Sequence, residues 1–448
     1  MDAPRPQAFR FPDSAEPTRP ILWVRDRILT VAEFMHDVER MAAALPSGTH
    51  LVNICESRLG FLVAYSAALA RGHTNLMPPS RAPQALEEAQ ASFGGSYRCD
   101  DDCVARALAP RSVPPPAGAS LRVPGEHIAQ IAFTSGSTGL PRAHMKRWDQ
   151  LMGSTRFNAA RIRECLAPRY GAARPWIVAT VPAQHMYGTE MSVLLPLAAD
   201  MAVHSGRPLF PAEVGAALAD VPAPRVLVTT PVHLRALVES GLRYPEIGVV
   251  ISATAPLDRA LAQAVERALA TTVLEMFGST ETCVIAARLT AREEHWTLYP
   301  GVTLTPGPEC AAVDAPWFAT PTTLSDVVEL VPPDRFLVRG RNIDMVEVAG
   351  KRASLADLTR RLLGIPGVKD AVAFQPDADE APVRRVAALV VAPGLSLETI
   401  TTQLSRSVDP VFMPRPLVLV PALPRNELGK VSREALLRLA TPHLDPTP

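Results

Sequence analysis

The chain has 448 residues, a length that suggests two or three domains rather than one hydrophobic core. Hydrophobic residues make up 47% of the chain and charged residues 20%, as expected of a packed globular protein. The chain has 45 basic residues (lysine and arginine) and 45 acidic residues (aspartate and glutamate), so its formal net charge is zero. This balance argues against a general nucleic-acid or anionic-membrane surface, and we expect no nucleic-acid partner.

Three features of the sequence indicate a cytoplasmic protein. The first residues lack the apolar core of a signal peptide, and no uncharged apolar stretch is long enough to span a membrane, so we expect no transmembrane segment. The cysteines lack the paired spacing of a zinc site, and we interpret them as free thiols in a reducing compartment. They are Cys55, Cys99, Cys103, Cys165, Cys283 and Cys310.

The first eighty residues contain short-range signals for a strand–helix–strand unit. Thr30 with Glu33 has the spacing of a capping box at a helix start. Ser57 can cap a second helix, which lies between the predicted strands Leu51–Cys55 and Thr74–Met77. This unit is typical of a parallel sheet.

Two proline-rich segments are predicted to lack regular structure. Residues 1–20 are polar and are expected to be loose. Residues 110–124 contain several prolines and are interpreted as a connector into the next strand.

The middle of the chain alternates predicted strands with helical patterns. This alternation predicts mostly parallel sheets that are covered by helices on both faces, an α/β fold. Ligands of such sheets bind at the carboxyl ends of the strands, so the loops that follow them are candidate sites. The predicted strands are Trp176–Val181, Met201–His204, Arg225–Thr229, Gly248–Ser252 and Thr272–Met276.

The character of the sequence changes after about residue 326. A hairpin is predicted from Val327–Val331 and Arg335–Val338. The last hundred residues alternate short strands and helices and predict a small α+β domain. The predicted elements are strands Lys369–Gln375, Arg385–Val391 and Leu417–Val420, with helices Leu397–Ser407 and Ser432–Leu439.

The segment Phe133–Arg142 combines two glycines, several hydroxyl side chains, a proline and a base directly after an apolar strand. Small residues let the backbone approach an anion closely, and N–H groups and hydroxyls supply donors, as a loop that holds phosphates requires. It is not a Walker loop, because no Gly-Lys-Ser/Thr follows at the required spacing. A hydroxyl-rich surface turn is the alternative.

Polar residues also follow three later strands. In Phe277–Glu281, Thr280 could bind a phosphate and Glu281 could hold Mg²⁺, although a helix cap is the alternative. In Pro182–Gly188, a lone histidine such as His185 is more often structural than catalytic, but its position at a strand end beside glycine and proline raises the odds of a functional role. Ser252–Leu257 has small residues that leave room for a flat ligand, or that form a tight connection to a helix.

Near the C-terminus, Pro424–Lys430 forms a predicted loop that presents Lys430. An ordinary surface lysine is the alternative, because most lysines are solvated.

Taken together and in order, these segments resemble the adenylate-forming superfamily of acyl- and aryl-CoA synthetases, peptide-synthetase adenylation domains and luciferases. The resemblance covers about residues 20–440. It implies that a carboxylate attacks the α-phosphate of Mg·ATP to give an acyl-adenylate, and that a thiol of CoA or of carrier-protein phosphopantetheine then displaces AMP. The matching segments are Thr134–Arg142, Pro182–Gly188, Ser252–Leu257, Phe277–Glu281, Asp326, Gly340–Asp344 and Pro424–Lys430.

The resemblance also implies a role for each matching residue. In the catalytic set, Lys430 would bridge the acid carboxylate and the α-phosphate, Thr280 would contact that phosphate, and His185 would lie near the acyl pocket and thiol tunnel. Glu281, with Thr138, would hold Mg²⁺. Asp326 would bind the ribose hydroxyls beside Arg341. The residues implied for the β- and γ-phosphates are Thr134, Ser135, Gly136, Ser137, Thr138, Gly139 and Arg142, and those implied for the adenine are Ser252, Ala253, Thr254, Ala255, Phe277 and Gly278.

The family rotates its small domain between the two steps about a hinge that follows the arginine matching Arg341. We therefore expect a large N-terminal domain at 1–340 and a small mobile C-terminal domain at 341–448. Three positions depart from the family pattern: Arg142-Ala143 replaces Lys-Gly, Ser325 replaces the glycine before Asp326, and Ile343 occupies the hinge position.

The identity of the acid and of the acceptor is left open by the sequence. The expected pocket is apolar with a few aromatic rings and suits an aryl or a short or medium acyl acid. CoA is the expected acceptor, a separate acyl carrier protein is the alternative, and a non-catalytic AMP- or acyl-adenylate-binding protein is the second alternative. The pocket residues are His185, Met186, Tyr187, Ser252, Ala253, Met276 and Phe277.

Overall fold

The structure, a computed structural model, divides the chain into two units. The first consists of Met1–Val302 with Ala315–Thr320, and the second of Thr303–Asp314 with Pro321–Pro448. The domain boundary at residue 341 was expected from a hinge whose residues Asn342–Asp344 lie outside the described part, and it stays a prediction. The structure describes residues 8–11, 16–78, 83–108, 121–135, 141–307, 310–341, 345–348, 351–376, 386–408, 410–426, 429 and 431–443.

The first unit contains two main parallel sheets with helices between their strands. Its strands are β1 (Ala8–Phe11), β2 (Pro20–Val24), β3 (Arg27–Thr30), β4 (His50–Asn53), β5 (Thr74–Met77), β6 (Ser96–Cys99), β7 (Leu121–Pro124), β8 (Ile128–Ser135), β9 (Pro141–Arg147), β10 (Trp176–Ala179), β11 (Ala202–His204), β12 (Arg225–Thr229), β13 (Val249–Ser252), β14 (Thr272–Ser279), β15 (Cys283–Arg288) and β16 (Trp296–Leu298). Its helices are α1 (Val31–Ala44), α2 (Arg58–Ala70), α3 (Pro83–Ala91), α4 (Asp101–Ala107), α5 (Trp148–Tyr170), α6 (Met186–Thr189), α7 (Leu195–Ala198), α8 (Pro211–Asp220), α9 (Pro231–Glu239) and α10 (Arg259–Leu269), with a π-helix at Glu190–Leu194.

The strand order confirms the predicted α/β class. One sheet has the order β6-β4-β5-β8-β9, in which only the β8–β9 pair is antiparallel. In the other, the strands of the first unit have the order β16-β15-β14-β13-β12-β10-β11-β2-β3, and the neighbours from β14 to β2 are parallel. One buried core lies between these strands and helices α8, α9 and α10. The central strands β10, β12 and β13 contribute Val178, Leu227 and Val250 to it.

The second unit is a smaller α+β assembly, as expected for the end of the chain. Its strands are β17 (Thr303–Pro306), β18 (Ala311–Asp314), β19 (Thr322–Leu324), β20 (Asp326–Val331), β21 (Arg335–Arg341), β22 (Met345–Val348), β23 (Lys351–Ser354), β24 (Asp370–Phe374), β25 (Ala387–Val391) and β26 (Leu417–Leu419). Its helices are α11 (Leu355–Leu363), α12 (Leu397–Leu404) and α13 (Arg433–Ala440), with 3₁₀ turns at Pro410–Phe412 and Thr441–His443. The antiparallel β20–β21 pair is the predicted hairpin.

Two predictions of helix caps in the first unit are confirmed. The Thr30 backbone N–H donates to the Glu33 carboxylate at 2.8 Å, and the Glu33 N–H donates to the Thr30 hydroxyl at 3.3 Å, which completes the capping box of α1. The Ser57 hydroxyl accepts the Gly60 N–H at 3.0 Å at the start of α2. Such caps satisfy backbone donors that the first helical turn leaves unpaired.

The prediction that both proline-rich segments lack regular structure is wrong in part. Within 1–20, Ala8–Phe11 forms a strand and β2 begins at Pro20; within 110–124, Leu121–Pro124 forms a strand, and β1 and β7 pair as an antiparallel ribbon. Prolines mark turns locally, but pairing between strands far apart in the chain leaves no local signal. Residues 109–120 lie outside the described part.

The expected free thiols are confirmed, because all six cysteines are unbridged. Among the helices that the structure describes, none combines the length and the apolar character needed to cross a membrane.

The centre of the large sheet supports a prediction of stability. Leu227 is 0% exposed and packs in the core beneath α8 to α10, so Leu227→Ala leaves a cavity and lowers the free energy of unfolding by about 2–5 kcal/mol. Leu242→Ala, at a leucine that is 49% exposed, is the matched control and changes stability little. Urea denaturation followed by tryptophan fluorescence measures both; equal losses in the two variants contradict the core assignment.

Candidate active site

The predicted phosphate loop lies in the sequence between β8 and β9, which pair as antiparallel strands. Residues 136–140 lie outside the described part, but the arms on either side are paired, with Thr134 opposite Arg142 and Ser135 opposite Pro141. The apolar run before the loop therefore forms the strand that was predicted, and the loop follows its carboxyl end. The phosphate-binding roles of Thr134–Gly139 and Arg142 stay predictions.

The segment Phe277–Glu281 lies in a second hairpin. Strand β14 continues to Ser279 rather than ending at Met276, and the antiparallel strand β15 follows it, so the helix-cap alternative is wrong. A Cβ atom at Gly278 would lie 2.1 Å from the carbonyl oxygen of Cys283, so only glycine lets the two strands approach this closely. The Thr282 hydroxyl accepts the Ser279 N–H at 3.0 Å and closes the turn.

Glu281 lies in this turn, beside the strand that leaves the phosphate loop. The His144 Nε2 atom of β9 is 3.5 Å from the Glu281 carboxylate, and the Lys146 ammonium of β9 donates to the Glu281 backbone carbonyl. His144 and Lys146 are two residues apart, so they face the same side of their strand. The contacts place the predicted metal ligand next to the phosphate-loop strand.

Glu281 has the charge state that a cation ligand needs. Burial by itself raises the pKa of its carboxyl, but hydrogen bonds from its own N–H and from the Ser279 hydroxyl, with the charges of His144 and Lys146, bring the pKa below its usual value. Burial lowers the pKa of His144; the Glu281 carboxylate opposes this, and the charges of Lys146 and Arg142 add to it. Glu281 is therefore ionised and His144 neutral at neutral pH.

A buried carboxylate, that of Glu190, holds the other end of the Glu281–Val284 segment. The Oε1 atom of Glu190 accepts the Val284 N–H at 3.1 Å, the Ser154 hydroxyl at 2.6 Å and the Asn158 amide at 3.3 Å. Burial raises the pKa of Glu190, and these hydrogen bonds and the charge of Lys146 offset only part of the shift. Lys146 and Glu190, each 2% exposed, thus fix the segment at both of its ends.

The sequence did not single out His144, Lys146 or Glu190. The only local signal is a charged residue in an otherwise apolar context, as Glu190 shows immediately before Met191–Leu195. Such a residue is compatible with an exposed position until its tertiary partners are known.

The segment that contains His185 packs against the ends of the large sheet. His185 is the N-cap residue of α6, and its carbonyl accepts the Thr189 N–H at 2.7 Å. The Tyr187 hydroxyl donates to the carbonyls of Thr229 at 3.2 Å and Ile251 at 3.0 Å, at the carboxyl ends of β12 and β13. This places α6 over the strand ends where ligands of α/β sheets bind.

The small-residue segment Ser252–Ala255 follows β13 at the same edge. Ser252 is fully buried, and its hydroxyl has no hydrogen-bond partner among the described residues. Thr254 has a φ of 79°, a left-handed conformation that threonine rarely adopts. Strained residues of this kind concentrate at ligand sites, which favours the ligand-wall interpretation over a simple connection to α10.

Asp326 and Arg341 belong to the second unit. They are opposite each other in the β20–β21 register, and Asp326 is buried. The structure thereby places side by side the two residues expected at the ribose.

The loop that carries Lys430 is anchored on both sides, although Lys430 itself lies outside the described part. Arg425 forms an isolated bridge with Val431, donates to the Gly429 carbonyl, and pairs with the Asp370 carboxylate at 2.6 Å. Gly429 has a φ of 77°, which glycine adopts without strain.

The residues present fit a magnesium ion that is completed by its substrate. Within the described part of the chain, no three histidine, cysteine or acidic side chains group into a metal site. Mg²⁺ commonly takes one or two carboxylates and completes its octahedron with phosphate oxygens and water. The single carboxylate of Glu281 is sufficient for that arrangement.

Comparisons with known proteins point to one family. A family model described as AMP-binding enzyme matches residues 82–316. The 4-coumarate–CoA ligase of Halorhodospira halophila is 29% identical over 324 residues, 68% of this chain and 76% of the relative. The 4-coumarate–CoA ligase of Rhodobacter capsulatus is 29% identical over 304 residues, 67% of this chain and 74% of the relative.

Solved structures show the same fold over nearly the whole chain. ATP-bound MatB of Rhodopseudomonas palustris has a TM-score of 0.75 at 18% identity, covering 95% of this chain and 96% of that one. The o-succinylbenzoate CoA synthetase of Bacillus subtilis, in complex with its acyl-adenylate intermediate, has a TM-score of 0.77 at 17% identity, covering 94% and 96%. At such low identity the likeness is one of fold alone.

The buried Glu190 gives a prediction of pH dependence. Its pKa is higher in the folded than in the unfolded chain, so the folded state binds more protons between the two values and loses stability as the pH rises through them. Glu190→Gln keeps the Oε1 acceptor and removes this titration. The free energy of unfolding of the variant minus that of the unchanged protein therefore increases as the pH rises above the usual pKa of a glutamate, about 4.3.

Urea denaturation at a series of pH values measures this difference. Glu239→Gln, which removes an exposed carboxylate, is the control for the substitution itself. A difference for Glu190→Gln that is flat or falls with pH contradicts the buried, destabilised carboxylate.

Proposed function

The chain belongs to the AMP-binding enzyme family, and we propose that it is an AMP-forming acid–thiol ligase that activates an aryl or short to medium acyl acid and transfers it to CoA. The main support for this proposal is the contact between β9 and Glu281. In this contact an ionised carboxylate lies beside strand β9, which follows the segment that we propose to hold the phosphates. A nucleotidyl-transfer site requires these two features together.

In the proposed first step, the acid carboxylate attacks the α-phosphate of ATP and pyrophosphate leaves. Thr134–Gly139 and Arg142 would hold the departing phosphates, Thr280 would contact the α-phosphate, and Glu281 with Thr138 would hold Mg²⁺. When bound, Mg²⁺ neutralises negative charge on the phosphates. Positioning and charge stabilisation of this kind supply most of the catalysis in phosphoryl transfer.

The second unit would supply the remaining contacts. Asp326 and Arg341 would bind the ribose, and Lys430 would bridge the acid and the α-phosphate as a compact positive charge. In the second step the acceptor thiol attacks the acyl carbon and AMP leaves, with His185 near the thiol. A rotation of a C-terminal domain at 341–448 between the steps is part of the proposal.

We propose an aryl acid ahead of an acyl chain. Both curated relatives described above are named for 4-coumarate. In this chain, two of the expected pocket residues are aromatic: Phe277, whose ring lies 5.1 Å from that of Trp296, and the buried Tyr187. Aromatic side chains favour offset or edge contact with a second ring.

Adenylation and the role of Lys430 are tested together by ATP–pyrophosphate exchange over a library of carboxylic acids. We expect exchange with at least one aryl acid, and a loss of about 100- to 1000-fold in Lys430→Ala with ATP binding retained. Lys369→Ala, at another lysine of the second unit, is the control. Unchanged exchange in Lys430→Ala contradicts the lysine assignment.

The same screen separates the enzyme from a non-catalytic AMP- or acyl-adenylate-binding protein, which the departures at Ala143 and Ile343 suggest as an alternative. AMP binding without exchange for any acid supports that alternative.

The acceptor is tested with the acid found in that screen. We expect product with CoA, because both curated relatives described above are named CoA ligases. The protein is incubated with ATP, Mg²⁺ and the acid, with either CoA or a holo acyl carrier protein, and products are measured by mass spectrometry. Product on the carrier alone supports the alternative ligase that loads a separate carrier protein.

A further inference from the structure

The chain from Val181 to Ser192, here called the His185 segment, folds back on itself after β10. The Thr189 hydroxyl donates to the His185 carbonyl at 3.0 Å. A Cβ atom at Gly188 would lie 1.8 Å from the Pro182 carbonyl oxygen, so only glycine lets the segment close this tightly. The segment that carries His185 is therefore a compact loop.

One buried side chain, that of Arg58, contacts both ends of this segment. Arg58 is the first residue of α2 and is 3% exposed. Its guanidinium donates to the Val181 carbonyl at 3.1 Å and to the Ala179 carbonyl, two residues earlier, at 3.2 Å. It also donates to the Ser192 hydroxyl, which in turn donates to the Gly188 carbonyl at 2.6 Å. A single guanidinium thus joins the start of the His185 segment to its end.

The position of Arg58 is unfavourable for a positive charge in two ways. Burying a charge costs free energy unless its partners compensate, and among the described residues no carboxylate pairs with Arg58. Arg58 also lies at the N-terminus of α2, where the helix dipole disfavours a cation. Burial and, second, the charge of Arg207 lower the pKa of Arg58 to about 9, so the guanidinium stays protonated at neutral pH. We infer that the geometry of its three contacts, and not ion pairing, is what Arg58 supplies.

These contacts are all made to one part of the chain. The three acceptors lie in the His185 segment or two residues before it. The middle of the same segment contacts the strands around it: the Tyr187 hydroxyl donates to the Ile251 carbonyl at 3.0 Å, and the Gln130 amide of β8 lies 3.2 Å from the Met186 sulfur. Arg58 therefore fixes the ends of a segment whose middle faces the predicted acid pocket.

The π-helix takes part in two separate sets of contacts. Glu190 accepts the Val284 N–H beyond the Glu281 turn, whereas Ser192, two residues later, contacts Arg58. π-helices occur frequently at functional sites. Because different side chains fix the two segments, a substitution at Arg58 disturbs the His185 segment and leaves the turn of Glu281 in place.

We propose that Arg58 is a positioning residue for the acid and the acceptor thiol, and that it acts by fixing the His185 segment. This inference rests on the proposed ligase function, in which His185 lies near the thiol and Met186 and Tyr187 belong to the acid pocket. Arg58 acts through the segment and needs no contact with a substrate. Displacing a reacting group by about 1 Å can cost on the order of 100-fold in rate.

Arg58→Met tests this role, because it removes the guanidinium and keeps a side chain of similar length. In ATP–pyrophosphate exchange we expect kcat/KM for the acid to fall by about 100-fold through a higher KM for the acid, while KM for ATP is unchanged. Arg58→Lys is expected to recover only part of the loss, because one ammonium cannot span three separate acceptors. Arg71→Met, at an exposed arginine that ends the same helix, is the matched control and leaves these constants unchanged.

Hydrogen–deuterium exchange followed by mass spectrometry tests the contacts of Arg58 without a substrate. In Arg58→Met we expect faster exchange in residues 183–194, including the Thr189 N–H, and no change in residues 279–286. Exchange in the His185 segment equal to that of the unchanged protein, or a loss of activity shared equally by the acid and ATP constants, overturns the proposal. If the unchanged protein shows no ATP–pyrophosphate exchange with any acid, the proposed function fails, and deuterium exchange separately decides whether Arg58 fixes the segment.

Discussion

The turn that carries Glu281 depends on two buried charges. Lys146 holds its first residue and Glu190 its last, and burying each charge costs on the order of several kcal/mol unless polar partners compensate. Ser154, Asn158 and backbone groups supply those partners. These contacts of Lys146 and Glu190, here called the Lys146–Glu190 clamp, join three segments of the chain: strand β9 after the predicted phosphate loop, the π-helix after His185 and the β14–β15 hairpin.

The clamp explains how a strained turn persists. Cys283 has a φ of 60°, a conformation that costs a non-glycine residue about 1–3 kcal/mol, and it lies between the two clamped positions. Because bonds on both sides fix the backbone, the turn cannot relax into a wider loop. The backbone around Glu281 is therefore fixed by the fold itself, and the magnesium-holding role proposed for Glu281 would benefit from such preorganisation.

Short-range sequence patterns predicted more of the fold than of the contacts in the candidate site. The capping box at Thr30 and the β20–β21 hairpin follow from spacing within a few residues, and both are present. The β1–β7 ribbon and the Lys146–Glu190 clamp join residues far apart in the chain, so no local pattern predicts them. The predicted end of β14 at Met276 was wrong for the same reason. The strand continues to Ser279 because β15 pairs with its last residues.

Strand β9 shows how neighbouring basic residues come to have different tasks. Arg142, His144 and Lys146 alternate along one side of the strand, but burial increases with distance from the hairpin tip, from exposed Arg142 to buried Lys146. A buried ammonium must satisfy its donors within the protein, and Lys146 does so at the Glu281 carbonyl. Its charge is committed to the fold, whereas the exposed Arg142 remains available for the phosphate contact proposed above.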